Sequence, residues 1–164
     1  MINIDKIGIV GQGFVGTAVR EGFSNHIETL TYDKDPSKHR TCNSLKAIVE
    51  KTDVIFVCLP TPMRKTGECD LSIIDAVVHQ IDEIAGLLNQ RKIIIIKSTI
   101  PPGTTVNLNE EAKNIQIVFN PEFLTEANHI QDFKNQTRII IGGPRPGTTI
   151  VKSIFRKVFP TVPI

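Results

Sequence analysis

Ile7-Gly8-Ile9-Val10-Gly11-Gln12-Gly13-Phe14-Val15-Gly16 is the stretch whose reading decides the fold. An apolar run fit for a buried strand passes into G-x-G-x-x-G. It continues into Thr17-Ala18-Val19-Arg20-Glu21-Gly22-Phe23, whose apolar spacing suits a helix packed on a sheet. Gly11 permits the tight turn, Gly13 lets backbone approach a pyrophosphate without a Cβ in the way, and Gly16 lets the helix sit close to the strand. The helix N-terminus, beginning at Phe14 and Val15, then offers free N–H groups and the positive end of its dipole to phosphate.

Such a triplet also occurs as a merely structural turn, so its surroundings carry the reading. Thr29-Leu30-Thr31-Tyr32-Asp33 reads as a second strand that ends in a carboxylate 17 residues after Gly16. A carboxylate there accepts bonds from the adenosine ribose hydroxyls of NAD and repels the 2′-phosphate of NADP. Lys38, in the polar turn that follows, either reaches back to the adenosine end or is simply solvated.

Working outward, 164 residues make one domain with room for a real core. Hydrophobic residues at 40% and charged residues at 22% describe an ordinary folded chain. A net charge of +2, with the basic residues scattered, argues against nucleic acid as a partner. The first residues lack the apolar core of a signal, and no stretch approaches membrane-spanning length, so a cytoplasmic location without membrane contact is expected. Cys42, Cys58 and Cys69 show no C-x-x-C spacing and suit a reducing compartment. His26, His39, His79 and His129 fall at no metal-ligand spacing, so no metal is expected.

Strands and helices alternate along the rest. A short amphipathic piece over 44–50 leads to a third strand over 52–58, and a Pro/Gly loop over 59–70 leads to a helix from Ser72, with Asp70 or Ser72 as its cap. Lys92-Ile93-Ile94-Ile95-Ile96-Lys97 reads as a central parallel strand covered on both faces. A helix to about Lys113 and a fifth strand over 115–119 follow. Asn120-Pro121 reads as a cap and first helical residue, which places Glu122 and Glu126 on one helical face. Arg138-Ile139-Ile140-Ile141-Gly142-Gly143 reads as a sixth strand, and an apolar stripe from Ile150 to Phe159 as a final helix. The expectation is one α/β domain over 1–164, with a doubly wound, mostly parallel six-stranded sheet of Rossmann type.

Ligands of such sheets bind beyond the carboxyl ends of the strands. The residues there are the glycine turn, Asp33, Leu59 to Thr61, Ser98 with Thr99, and Asn120 to Glu126. Glu122 and Glu126 either do general acid or base work beside a nicotinamide or stabilise a helix dipole, and spacing does not separate the two.

Several motifs together resemble the UDP-glucose/GDP-mannose dehydrogenase family. They are the glycine turn, Pro60-Thr61-Pro62 with Asp70-Leu71-Ser72, Lys97-Ser98-Thr99-Ile100-Pro101-Pro102-Gly103, Asn120-Pro121-Glu122-Phe123-Leu124-Thr125-Glu126, and Asp132-Phe133 with Arg138-Ile139-Ile140-Ile141-Gly142. The resemblance implies oxidation of the C6 alcohol of a nucleotide sugar to a uronic acid with NAD, UDP-glucose being favoured as the sugar. It implies that Asp33 and Lys38 hold adenosine, that Thr61, Ser98, Thr99 and Glu126 contact cofactor, and that Glu122, Phe123, Leu124 and Glu126 contact substrate. Glu122, Glu126 and Thr99 would serve the chemistry, Glu122 assisting proton transfer or the hydrolytic water that Thr99 helps orient. Ala127 stands where the family has glycine. The family's nucleophilic cysteine, central helix and sugar-binding domain have no counterpart in these 164 residues, whose three cysteines lie outside every motif. A separate C-terminal domain or complementary subunit is therefore expected as partner, the alternative being a non-catalytic nucleotide-binding module.

Overall fold

The computed structural model describes residues 2–164. In chain order the elements are β1 (Lys6–Val10), α1 (Phe14–Phe23), β2 (Glu28–Tyr32), α2 (Leu45–Lys51), β3 (Val54–Val57), α3 (Ser72–Leu87), β4 (Lys92–Ile96), α4 (Thr104–Glu111), β5 (Ile115–Phe119), α5 (His129–Lys134) and α6 (Gly147–Val158). The five strands form one sheet in the order β2-β1-β3-β4-β5, and every pairing is parallel. All carboxyl ends therefore lie along one edge, and the strand order reverses between β1 and β3.

Alternation along each strand explains why helices cover both faces. Thr31, Ile9, Phe56, Ile95 and Val118 lie in one row across the sheet, and Leu30, Gly8, Ile55, Ile94 and Ile117 in the next. Ile9, Phe56, Ile95 and Val118 pack with Phe23, Phe133, Val151 and Phe155 from α1, α5 and α6. Ile55, Ile94 and Ile117 pack with residues of α2, α3 and α4 on the other face. The first face holds a cluster of five phenylalanines, Phe23, Phe56, Phe133, Phe155 and Phe159, with ring centroids 5.3 to 6.4 Å apart in most contacts edge to face.

Both margins of the sheet are covered in part. At β2 the Thr31 N–H donates to Thr41 Oγ1, and its carbonyl accepts from the Thr41 and Cys42 N–H groups. At β5 the Asn109 side chain of α4 takes both the N–H and the carbonyl of Ile117. Phe119 exchanges two bonds with Gly142, at 2.7 and 2.8 Å.

Two expectations are corrected. The sixth strand over Arg138–Gly143 is reduced to a single antiparallel bridge between Phe119 and Gly142. Its other backbone groups have different partners: the Ile139 N–H donates to Pro163 and the Ile140 carbonyl accepts from Asn120 Nδ2. Gly143, at φ +141°, then turns the chain away. The helix expected from Pro121 is also absent, and residues 121–125 are irregular. Asn120 cannot cap it, because its side chain is 2% exposed and committed to Lys97 and Ile140. The helix in this region is α5, which begins at His129 and packs on α1.

Candidate functional site: the carboxyl edge of the sheet

The glycine turn is built as its spacing requires. Gly11 has φ +92°, and a Cβ there would lie 2.2 Å from the Cys58 carbonyl oxygen, so the turn after β1 presses on the end of β3. A Cβ on Gly16 would lie 1.9 Å from the Gly11 carbonyl oxygen, which fixes how closely α1 approaches the turn. A Cβ on Gly13 meets nothing within 4 Å. The space over Gly13, at the start of α1, is thus a cradle that a side chain would fill and a pyrophosphate fits. Phe14 opens α1 half-exposed, its ring 5.9 Å from that of His129, and Val15 packs partly into the core.

Asp33 stands at the end of β2 and is tied to the turn, with Oδ2 accepting the Gln12 N–H at 2.7 Å and Oδ1 accepting the Asp35 N–H at 2.9 Å. Lys38 is exposed on the loop beyond. Thr61 donates its hydroxyl to the Thr99 carbonyl at 2.8 Å. Ser98 is buried, donating to the Leu59 carbonyl at 2.7 Å and accepting the Leu59 N–H at 3.0 Å, so it clamps the loop after β3 to the end of β4. The Thr99 side chain is exposed at this edge.

Glu122 is half-buried and turned back on its own loop, its Oε2 accepting the Leu124 N–H at 2.6 Å. Glu126 is exposed, and its carbonyl accepts from His129 Nδ1 at 2.8 Å. The two carboxylates therefore share a loop and not a helical face. Phe123, 54% exposed, lies under the Arg138 guanidinium at 4.5 Å, and Leu124 packs toward the core. A cleft of about 320 Å³ opens here, with Lys97 and Phe133 at its floor and Glu122, Asp132 and Arg138 among its walls.

Two residues of this edge escaped the sequence reading. Lys97 is 3% exposed, donates to Asn120 Oδ1 at 3.0 Å and to the Pro121 carbonyl at 3.4 Å, and lies 5.7 Å from the Phe133 ring centroid. Burial pulls its ammonium down to about 8, with Cys58 and Glu122 opposing the shift. Lys92, buried at the other end of β4, has a carboxylate at 2.9 Å in Asp53, and Lys97 has only neutral oxygens in contact. A lysine closing an apolar strand at the ligand edge was the available signal. Gln12 is the second: it is 4% exposed, its Nε2 donates to the Gly11 carbonyl at 3.0 Å, and its Oε1 is buried without a partner.

The cysteines are free, and burial pushes the Cys58 thiol up to about 12, with Lys97 opposing. Among the described residues no group of three or more His, Cys, Asp or Glu could hold a metal, and no helix is long and apolar enough to cross a membrane.

A parallel sheet whose order reverses beside a glycine turn and a strand-end carboxylate defines a dinucleotide-binding domain of the Rossmann class. Residues 33–161 match the UDP-glucose/GDP-mannose dehydrogenase family, NAD binding domain. The chain belongs to that family, and NAD is its cofactor. UDP-glucose 6-dehydrogenase TuaD of Bacillus subtilis is 36% identical over 173 residues, covering 84% of this chain and 37% of the relative. Among solved structures, GDP-mannose dehydrogenase from Pseudomonas aeruginosa superposes with a TM-score of 0.85 at 22% identity, over 96% of this chain and 45% of that one. UDP-glucose dehydrogenase from Pyrobaculum islandicum gives 0.82 at 24% identity, again over 96% and 45%. The chain spans less than half the length of these relatives.

Proposed function

We propose that this chain is the NAD-holding half of a nucleotide-sugar 6-dehydrogenase, with UDP-glucose as the favoured substrate and a cytoplasmic role in supplying uronic acid for polysaccharide. The observation that carries this is the loop from Asn120 to Glu126, suspended from buried Lys97 on the same sheet edge as the glycine turn. In this reading the α1 N-terminus and Gly13 receive the pyrophosphate, Asp33 and Lys38 the adenosine, and Thr61 and Thr99 the nicotinamide end. NAD supplies the two-electron acceptor. Glu122 stands at the sugar as the proton-handling group, and Phe123, Leu124 and Glu126 shape that side of the pocket. In this reading the thiolate for a thioester belongs to the family's C-terminal half and is not Cys58, which is buried and held neutral.

The same inert thiol favours a second reading, a nucleotide-binding module that turns nothing over. Two measurements separate them. Calorimetric titration with NAD should show saturable binding by the chain alone. Mixing with the C-terminal half of a family member should then yield NADH from UDP-glucose, and Glu122→Gln should abolish it. Binding without turnover in the mixture selects the module.

A further inference from the structure

The cleft of about 320 Å³ beside the Asn120 to Glu126 loop has Lys97, Arg138, Glu122 and Asp132 in its lining, and these charges are not paired with one another. Both carboxylates are engaged elsewhere. Glu122 Oε2 accepts the Leu124 N–H at 2.6 Å, and Asp132 Oδ2 accepts the Thr125 N–H at 2.8 Å and its hydroxyl at 2.6 Å. The Thr125 hydroxyl is the first cause that holds the Asp132 carboxyl below its ordinary range. The cations are left with neutral company. Lys97 bonds the Asn120 side-chain oxygen and the Pro121 carbonyl, and the exposed Arg138 guanidinium rests on the Phe123 ring without an ion pair among the described residues.

Taking an ammonium out of water costs several kcal/mol, and neutral oxygens offset only part of that. The Lys97 proton shows the deficit: burial, the first cause, pulls it down to about 8, against the opposing fields of Cys58 on β3 and Glu122 on the loop. Lys92, equally buried on the same strand, has the Asp53 carboxylate at 2.9 Å. An apolar side chain would fill the place of Lys97 at lower cost, so the charge there calls for an anion that arrives from outside. The cleft also limits what arrives. Its volume is at the small end of ligand pockets, roughly 300 to 1,000 Å³, and suits one sugar ring better than a dinucleotide. A planar guanidinium beside an ammonium suits a carboxylate.

We propose that this cleft is the subsite for the C6 carboxylate of the uronic acid product, with Lys97 as its counter-ion at the floor and Arg138 at the wall. The proposal rests on Glu122 standing at the sugar. The alcohol substrate carries no charge at that position, so the subsite separates product from substrate. A carboxylate beside Lys97 raises its pKa, so above about pH 8 binding takes up a proton, and affinity falls as pH rises through the raised value.

The test is a carbon-13 NMR titration of the Lys97 Cε resonance in the purified chain, with glucuronate, glucose and inorganic phosphate as probes. Glucuronate should raise the Lys97 midpoint from about 8 by about one unit and shift the Leu124 and Arg138 amide signals saturably. Glucose should do neither. Lys97→Met, close in length and without the buried charge, should weaken glucuronate at least about tenfold, and Arg138→Ala at least about threefold, both read from the Leu124 amide. A midpoint unmoved by glucuronate, a phosphate response equal to that of glucuronate, or amide shifts that survive unchanged in Lys97→Met overturn the proposal. Should Lys97→Met fail to fold, the wild-type midpoint and Arg138→Ala decide. No turnover enters these readings, so a mixture with the C-terminal half that never yields NADH would sink the dehydrogenase reading and leave an observed carboxylate response standing.

Discussion

Three glycines of one turn do different work, and substitution separates them. Gly13→Ala meets open space at φ −72°, so stability should stay within about 0.5 kcal/mol of wild type while NAD binding weakens at least about tenfold. Gly16→Ala drives a methyl into the Gly11 carbonyl and should cost roughly 3 kcal/mol or prevent folding. Thermal melts with NAD titration check both, and equal melting points for the two variants would contradict the turn described. Lys97 and Cys58 give a second test at this scale. Unfolded Lys97 keeps its proton to 10.5 and folded Lys97 only to about 8, so stability rises with pH across that window. Unfolded Cys58 ionises near 9.0 and the folded thiol near 12, so above 9.0 stability falls with pH. Wild type should therefore gain stability up to about pH 9 and then level, whereas Cys58→Ala should go on gaining toward about pH 10.5. Denaturant titrations at several pH values would expose a flat profile in both, which would mean that neither group is buried. The glycines were legible in the sequence because a turn is local. Lys97 was not, because its burial depends on the loop after β5 and on Phe133 of α5, which only the fold brings over it.

At the scale of elements, regular alternation read well and committed side chains did not. The five parallel strands follow from apolar runs separated by helical spacing, and β5 was placed on its observed residues, Ile115–Phe119. The sixth strand and the helix at Pro121 failed for one reason. Asn120 has the residue type of a cap and Ile139 to Ile141 the pattern of a strand, but Lys97, Pro163 and Ile140 claim the groups that either element needs. Between helices, His79 of α3 donates Nδ1–H to the Asp75 carbonyl at 2.7 Å and faces Glu111 of α4 at 3.0 Å. These raise its pKa above 6.5, the Asp75 bond first, so the pair stabilises fully below that pH and fades as pH rises through the folded value. With the imidazole 53% exposed, the contribution is a few tenths of a kcal/mol, on the order of an exposed ion pair. Glu111→Gln should remove it at about pH 5.5 and have no effect near pH 8.5. An identical loss at both would show that the contact is not ionic.

For the whole molecule, the five-phenylalanine cluster couples α1, α5 and α6 to the sheet, and α1 also forms the cofactor turn. Phe23→Ala should cost about 3 to 5 kcal/mol and lower cofactor affinity with it, although residue 23 lies at the far end of α1 from Gly13. NAD at about 100 times its dissociation constant should return roughly 2.7 kcal/mol of that loss in a melt. A variant with wild-type affinity and a lowered melting point would mean that the turn keeps its shape independently of the cluster.

The occupied margins of the sheet have a consequence for how this protein meets its own copies. Thr31 on one side, and Ile117 with Phe119 on the other, present no spare ladder of donors and acceptors to a passing strand. Growth by strand addition, the common route from a parallel sheet to fibrous aggregate, meets an interrupted template at both borders. Self-association is thereby shifted toward side chains on helices and loops, where single surface substitutions tune it without touching the backbone framework.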